Sequence, residues 1–438
     1  MNRREFARTS AGLFATLAAP GVWAVDAPEG RKRKCAFRPF RANDPAAPVT
    51  AVTPPDGNYV FTYFNVCPWS PSGRFLFAAR LPYQDHDAVH GDAAEACVID
   101  LQEQTIETVY KTRCWGFQTG ANLHWGATDD HLYTNDIIGD TAVCVRVDLR
   151  TRQTRAFAGL GYDIAPDESC AIGFPLELMD ATQKGYGAPS KDPTHPRRLP
   201  PGAARDEGIW RTDLKTNEKR LLVSLADVAA HVEEPPPRPG GTWYFWHAKH
   251  NRQGTRILQV LRHVLPGDEG GRERNPMVFT YAPDGGDIRP VHHGKVWRQR
   301  GGHPAWHCDG RHVTRNMDMA GKSRLCQWHD DGSGFRVLSE KLVSGGHPTV
   351  EPRGRFAITD HIEHADASTV TLRLLDLSAH TELAVCRAPT IRVVKKADAT
   401  LRLDGHPVWS RDHRQCCLQA APDGNRQLLI ADLSRLVI

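Results

Sequence analysis

The chain is predicted to be all-β, a seven-bladed β-propeller. Three observations predict it. A tripeptide recurs as Gly302-His303-Pro304, Gly346-His347-Pro348 and Gly405-His406-Pro407, with a looser relative at Trp246-His247-Ala248-Lys249-His250. Recurrence at roughly 40–50 residues, with inserts, marks a propeller or a similar array. A longer unit repeats around the tripeptide: a strand, a tight turn, a β-rich strand, a third strand ending in Asp-Leu, and a fourth strand. Helical periodicity, finally, is weak across the 438 residues outside Ser224–Val232.

The elements follow in order. Arg3-Arg4-Glu5-Phe6, the apolar run Ala11–Ala19 and Val22-Trp23-Ala24 read as a twin-arginine export signal over residues 1–24. The mature chain is therefore expected to be periplasmic or secreted. Residues 25–57 read as a linker or N-terminal extension, rich in Pro and Ala from Pro45 to Pro55. The propeller is expected over residues 58–438.

Ser70-Pro71-Ser72-Gly73 opens the first unit, and His124-Trp125-Gly126 opens the second, which closes on Val147-Asp148-Leu149. Ile164-Ala165-Pro166-Asp167 opens the third, closing on Thr212-Asp213-Leu214. His250-Asn251-Arg252 opens the fourth, Trp306-His307-Cys308 the fifth and Glu351-Pro352-Arg353 the sixth. Ser410-Arg411-Asp412 opens the seventh, which closes on Ala431-Asp432-Leu433. Pro presets φ and Gly supplies positive φ in such turns, so the chain reverses tightly between strands. Two long inserts, Lys184–Glu207 and Glu233–Gly241, have the length of functional rims.

Composition excludes several classes. Hydrophobic content is 40% and the net charge is +4. That describes an ordinary globular chain with no electrostatic case for nucleic acid. No later stretch approaches the ~18 apolar residues of a membrane-spanning helix, so no membrane insertion is expected. Eleven cysteines include no C-x-x-C pair, and an odd number cannot pair fully within one chain. Most lie in strand-like runs such as Ala96-Cys97-Val98-Ile99, where a small buried hydrophobe is the default. A monomer is expected.

If each unit is one blade, the tripeptides open the innermost strands and their imidazoles converge on the axis. His247 or His250, with His303, His347 and His406, could then surround a divalent metal. Imidazole suits zinc, manganese or iron, and three His with an open position make a Lewis acid. Zinc or manganese is expected ahead of calcium. The structural alternative is that each His ties neighbouring blades together by hydrogen bonds.

The order of motifs resembles the propeller polysaccharide lyases, the ulvan lyases closely and the oligogalacturonate lyases more distantly. The residues that carry it are Pro68–Arg74, Gln118-Thr119-Gly120-Ala121-Asn122-Leu123-His124-Trp125, Gly185-Tyr186-Gly187, Gly208-Ile209-Trp210, His250–Arg262, Gly346–Asp360 and the Gly405-His406-Pro407 unit. The resemblance implies β-elimination from an anionic, uronic-acid-containing polysaccharide or oligosaccharide. It implies a catalytic His at His124, a catalytic Tyr at Tyr186, and a carboxylate-binding Arg at Arg205 or Arg198. It further implies substrate contacts from Gln118, Trp125, Arg198 and His247, and a metal held among His250, His303, His347 and His406. The second His that ulvan lyases carry is absent, since Thr141–Cys144 occupies its place.

Two functions compete. One is an exported polysaccharide lyase. The other is a non-catalytic periplasmic binding or scaffold propeller, because fold alone settles no function. A peptidase propeller is disfavoured by the lack of a Gly-x-Ser-x-Gly elbow.

Overall fold

The computed structural model describes residues 30, 32–234, 236, 239–266, 277–294, 296, 299–362, 368–391 and 400–438. The expected export signal lies outside them. Seven small antiparallel sheets form a seven-bladed β-propeller. The innermost strands are, in ring order, Asn58–Val60, His124–Trp125, Asp163–Ile164, Thr242–His250, Gly301–Trp306, Thr349–Val350 and Val408–Trp409.

Local chemistry explains the repeat. Where a third strand ends in Asp, that Asp accepts backbone N–H groups two or three residues on. Asp100 takes Gln102 and Glu103, Asp148 takes Arg150 and Thr151, Asp213 takes Lys215 and Thr216, and Asp376 takes Ser378 and Ala379. Each is an Asx turn that reverses the chain into the fourth strand. The first turn is held likewise: Ser70, Asn251, Glu351 and Ser410 accept N–H groups from the start of the second strand.

The blades are tied by tryptophans. Trp125 Nε1 donates to Pro68 O, Trp306 Nε1 to Lys249 O, and Trp409 Nε1 to Thr349 O, each reaching the preceding blade. In two of the repeats the residue three places after the His, Trp306 or Trp409, therefore does the tying the His was offered for. Trp125, expected at the substrate, is one of these ties.

The stretch 25–57 is not a linker throughout. Val49–Ala51 pairs with the last strand, Gln427–Asp432, and Arg38–Phe40 pairs outside it. Arg33–Lys34 pairs with Thr105–Thr112 of the first blade. The N-terminal strands close the ring on the seventh blade and remove its open edge. Their shortness and the intervening prolines hid them from a strand pattern.

Among the described residues the two short α-helices are Leu176–Thr182 and Leu225–Ala229, the latter capped by a Ser224/Asp227 capping box inside the expected helical stretch. No helix among the described residues is long and apolar enough to cross a membrane. All eleven cysteines are free, and all but Cys67 and Cys308 are buried.

Candidate functional site

A cavity of about 470 Å³ opens on the axis, lined by residues that include Tyr63, Tyr186, Trp246, His247, Arg262, His303, His347, Arg402 and Asp404. Backbone irregularity aims several of them. The pairing of Thr242–His250 with the next strand shifts register between Phe245 and Ala248, which frees Trp246 and His247 from the ladder. A second shift between Gly302 and Ala305 frees His303. His303 and His406 have φ of 56° and 45°, a left-handed conformation uncommon for a non-glycine residue.

Asp360 is the hub beneath the imidazoles. Its carboxylate accepts the His347 backbone N–H at 2.7 Å, the Gly405 N–H at 2.9 Å and the His406 N–H at 3.2 Å. It also accepts His347 Nδ1–H at 3.0 Å. A Cβ on Gly346 would collide with the Asp360 carbonyl, and one on Gly405 would press on the Asp360 side chain. In two of the three repeats the glycine is thus required by close approach to Asp360, whereas a Cβ on Gly302 would meet nothing within 4 Å. Burial works against the Asp360 carboxylate, yet His347 and these hydrogen bonds hold its pKa well below the usual range. Asp360 in turn raises the pKa of His347 against its burial.

His303 lies 4.1 Å from His347 and His406 lies 4.3 Å from His347, ring centre to ring centre. One ligand atom each from His347, Asp404 and His406 falls within 4.8 Å of the others. His406 Nε2 is buried without a hydrogen-bond partner, 3.9 Å from Asp404 Oδ2. Two imidazoles and a carboxylate around an orphaned lone-pair atom fit a divalent cation. For His406 Nε2 to bind one, Nδ1 must carry the proton. Gln419 faces Nδ1 with its amide at 2.9 Å while its Oε1 is buried and unsatisfied. A half-turn of that amide presents Oε1 to Nδ1–H and leaves Nε2 free.

Tyr186 and His247 complete the wall. Arg402 Nη2 donates to Tyr186 Oη at 2.7 Å and Arg402 Nε to Asp404 Oδ2 at 2.9 Å. Arg262 is stacked 3.9 Å over the Trp246 ring, itself 4.8 Å from the Tyr186 ring, and donates to Gln183 Oε1 at 2.9 Å. His247 Nδ1 is hydrogen-bonded to Tyr162 Oη. Burial, then Arg262, takes the His247 pKa well below its ordinary value. Burial, then His347, does the same to His303 and His406. These three imidazoles are neutral, the form a base or ligand requires.

The structure brings together His247, Tyr186, His303, His347 and His406 of the residues singled out from sequence. It places the others elsewhere. His124 is walled off from the cavity: Nδ1–H donates to Asn122 O at 3.0 Å, and Nε2 accepts from Lys249 Nζ at 3.1 Å. His250 leaves the ring of imidazoles and binds Asp163 Oδ2 at 2.9 Å. Gln118 is buried behind the cavity and donates to Thr400 O and Arg402 O. Arg198 and Arg205 are exposed on the insert and do not line the cavity. The guanidiniums that line it are Arg402 and Arg262, which sequence reasoning missed along with Asp404 and Asp360. A signal existed: Arg402, Asp404 and His406 alternate, which puts them on one side of an extended chain.

No family model matches the chain, and no curated protein does. Among solved structures the fold is similar to an oligogalacturonate lyase in complex with manganese, with 19% identity and a TM-score of 0.65 over 92% of this chain and 98% of that one. It is similar also to an oligogalacturonate lyase from Vibrio parahaemolyticus, with 16% identity and a TM-score of 0.64 over 92% and 98%. At this identity the likeness concerns the fold. The closer resemblance to ulvan lyases expected from the motifs finds no support in these comparisons.

Proposed function

We propose that the chain is an exported lyase that cleaves uronic-acid-containing oligosaccharide or polysaccharide by β-elimination. The observation that carries this reading is the convergence of a neutral His247, an Arg402-bound Tyr186, His347 and Asp404 on one cavity, with His406 buried at ligand distance behind the last two. The likeness in fold to oligogalacturonate lyases supports it. The Arg3-Arg4 motif supports export.

β-Elimination beside a carboxylate needs three things: charge relief at the carboxylate, a base for the C5 proton, and an acid for the leaving O4. Tyr162 fixes one nitrogen of His247 and leaves Nε2 as the base. As His247 takes the proton, the C4–C5 double bond forms and the C4–O4 bond breaks. Tyr186, polarised by the Arg402 guanidinium, donates its proton to O4. Arg402 also places its positive charge on the cavity wall, where it would offset the sugar carboxylate. A divalent cation held by His347, Asp404 and His406, manganese or zinc, would supply Lewis-acid stabilisation of the enolate-like charge at that carboxylate.

The test follows the ultraviolet absorbance of the conjugated C4–C5 double bond on pectate oligomers, ulvan, alginate, glucuronan and glycosaminoglycans. A rise lost in His247→Ala and Tyr186→Phe carries the reading. Binding of one of these glycans with no absorbance rise, by folded and manganese-supplemented protein, would favour a binding module.

A further inference from the structure

The Gln118-Thr119 dipeptide stands out in the sequence, yet it faces away from the cavity. Its contacts lead to two loops that do face it. Gln118 N donates to Gly185 O at 2.8 Å, and Thr119 Oγ1 donates to Tyr186 O at 3.2 Å. The Gln118 side chain turns the other way. Its Nε2 donates to Thr400 O at 3.1 Å and to Arg402 O at 2.9 Å. An amide NH2 carries two donors, and here both meet carbonyls, so only the nitrogen satisfies this position.

The approach is tight. Gly185, at φ +87°, has Gln118 Cγ and Thr400 Cβ each 3.5 Å from where its Cβ would stand. A Cβ on Gly116 would lie 2.7 Å from Gly185 O and 2.8 Å from Gly187 O. Loops 185–187 and 400–404 are thus pressed against one joint. The second loop is held along its length. Each carbonyl from Thr400 to Leu403 accepts a side-chain donor: Thr400 and Arg402 from Gln118, Leu401 from Arg426 and Leu403 from Thr390. Of these donors, Gln118 belongs to the segment that also holds the Tyr186 loop.

We propose that Gln118 is a positioning residue: it joins the Tyr186 loop to the Arg402 loop and so sets the Arg402–Tyr186 hydrogen bond on which proton donation to the leaving oxygen depends. It touches no substrate. Its contribution reaches the reaction through Arg402, and in that respect it rests on the function proposed above.

The test is Gln118→Glu, an isosteric change that turns two donors into lone pairs facing two carbonyls, with Gln118→Met as the uncharged second variant. Hydrogen exchange of the amides in 401–405 and 185–188 is compared with wild type. Exchange at least about 10-fold faster in both loops, with other blades unchanged, is expected when such hydrogen bonds are lost. In turnover, kcat/KM should fall roughly 30-fold with KM raised, because a displaced Arg402 meets the carboxylate poorly. A purely structural defect would lower the active fraction and hence kcat at unchanged KM. In the Gln118→Glu background, Arg402→Ala should cost less than about 3-fold further, while His247→Ala keeps its full cost.

Unchanged exchange in either loop, or full additivity of Gln118→Glu with Arg402→Ala, overturns the proposal. If wild type turns over no uronate, the lyase reading falls. The exchange experiment alone then decides whether Gln118 joins the loops.

Discussion

Two polar clusters share the propeller axis and are built from similar residues, yet only one faces a cavity. The first holds His247, His303, His347, His406, Asp404 and Arg402. The second holds His124, Asp163, Lys249 and His250, all shut in the interior. In the second, Asp163 takes His250 Nδ1 at 2.9 Å, the His250 backbone N–H at 2.7 Å and Lys249 Nζ at 3.4 Å. Lys249 then reaches His124. Each cluster leaves one imidazole nitrogen buried without a hydrogen-bond partner, His250 Nε2 in the second and His406 Nε2 in the first. Among the described residues, it is the first whose nitrogen sits with a carboxylate and a second imidazole at ligand spacing, beside the cavity. Buried polar groups normally find partners, so that arrangement is the one prepared for an external ion.

Strand geometry separates the two. His247 and Lys249 lie on one face of the same inner strand, and two residues along a strand span about 7 Å. That step takes the chain from the cavity wall to the sealed layer. The environments then split the charges. His247 is neutral through burial and Arg262. Asp163, against its burial, is held well below the usual carboxylate range by Lys249 and the two imidazoles.

The comparison breaks most sharply with paired substitutions. His247→Ala should lower kcat roughly 10²–10⁴-fold, the usual worth of a general base, with its urea midpoint nearly unchanged. Asp163→Ala should do the reverse. It leaves Lys249 and His250 buried without their carboxylate, at a cost of about 3–5 kcal/mol in urea unfolding, while each folded molecule keeps its turnover. Loss of activity per folded molecule in Asp163→Ala would show that the sealed cluster is part of the site.

Metal addition sharpens the same contrast. Excess manganese should raise the unfolding free energy of wild type by about 3–4 kcal/mol at a few hundred-fold over the dissociation constant. His406→Ala should lose that response, and His250→Ala should keep it. A response that follows His250 instead would move the cation to the other cluster.

The sealed cluster also predicts a pH dependence. Burial disfavours charged His250, but Asp163 and Cys170 raise its pKa to about 9. A raised folded-state pKa gives stability that is full below the unfolded value and lost as pH rises through the folded one. Wild type should therefore lose on the order of 3 kcal/mol, relative to His250→Asn, between about pH 6.5 and pH 9. Lys249, whose pKa is lowered by burial, works in the opposite sense, so the difference between the two proteins is the quantity to measure. Parallel stability curves would mean that His250 is not charged in the fold.

The propeller was legible because its repeat is local chemistry. An Asp ending a third strand needs only its own next residues to make an Asx turn. The imidazoles were legible because a repeated tripeptide puts equivalent side chains at equivalent places. Arg402 and Asp404 were not, since they lie outside the repeat on a segment held by side chains from remote parts of the chain. His124 was misplaced for a related reason. A motif names a residue on an inner strand without giving its depth along the axis, and depth separates cavity from interior here. Arg198 and Arg205 were chosen for their place in a long insert, but that insert brings Tyr186 inward and leaves both arginines in solvent.

The smallest effect concerns what keeps the two clusters in register. Trp306 Nε1 donates to Lys249 O at 2.9 Å, so a residue of the fifth blade holds the strand that carries both His247 and Lys249. Trp306→Phe removes that hydrogen bond and keeps most of the ring. It should cost about 1 kcal/mol in stability, the net worth of one such bond. The direction of any activity change then discriminates. If the strand is held mainly by the sealed cluster, through Lys249 and His250 on Asp163, kcat of Trp306→Phe stays within about 2-fold of wild type, since an undisplaced base costs nothing. If the tryptophan tie sets the depth of the strand, His247 shifts with it and kcat falls while the His250 pH signature persists. The sealed cluster is expected to dominate, because it grips the strand by two side chains and a backbone N–H, and the tryptophan by a single carbonyl.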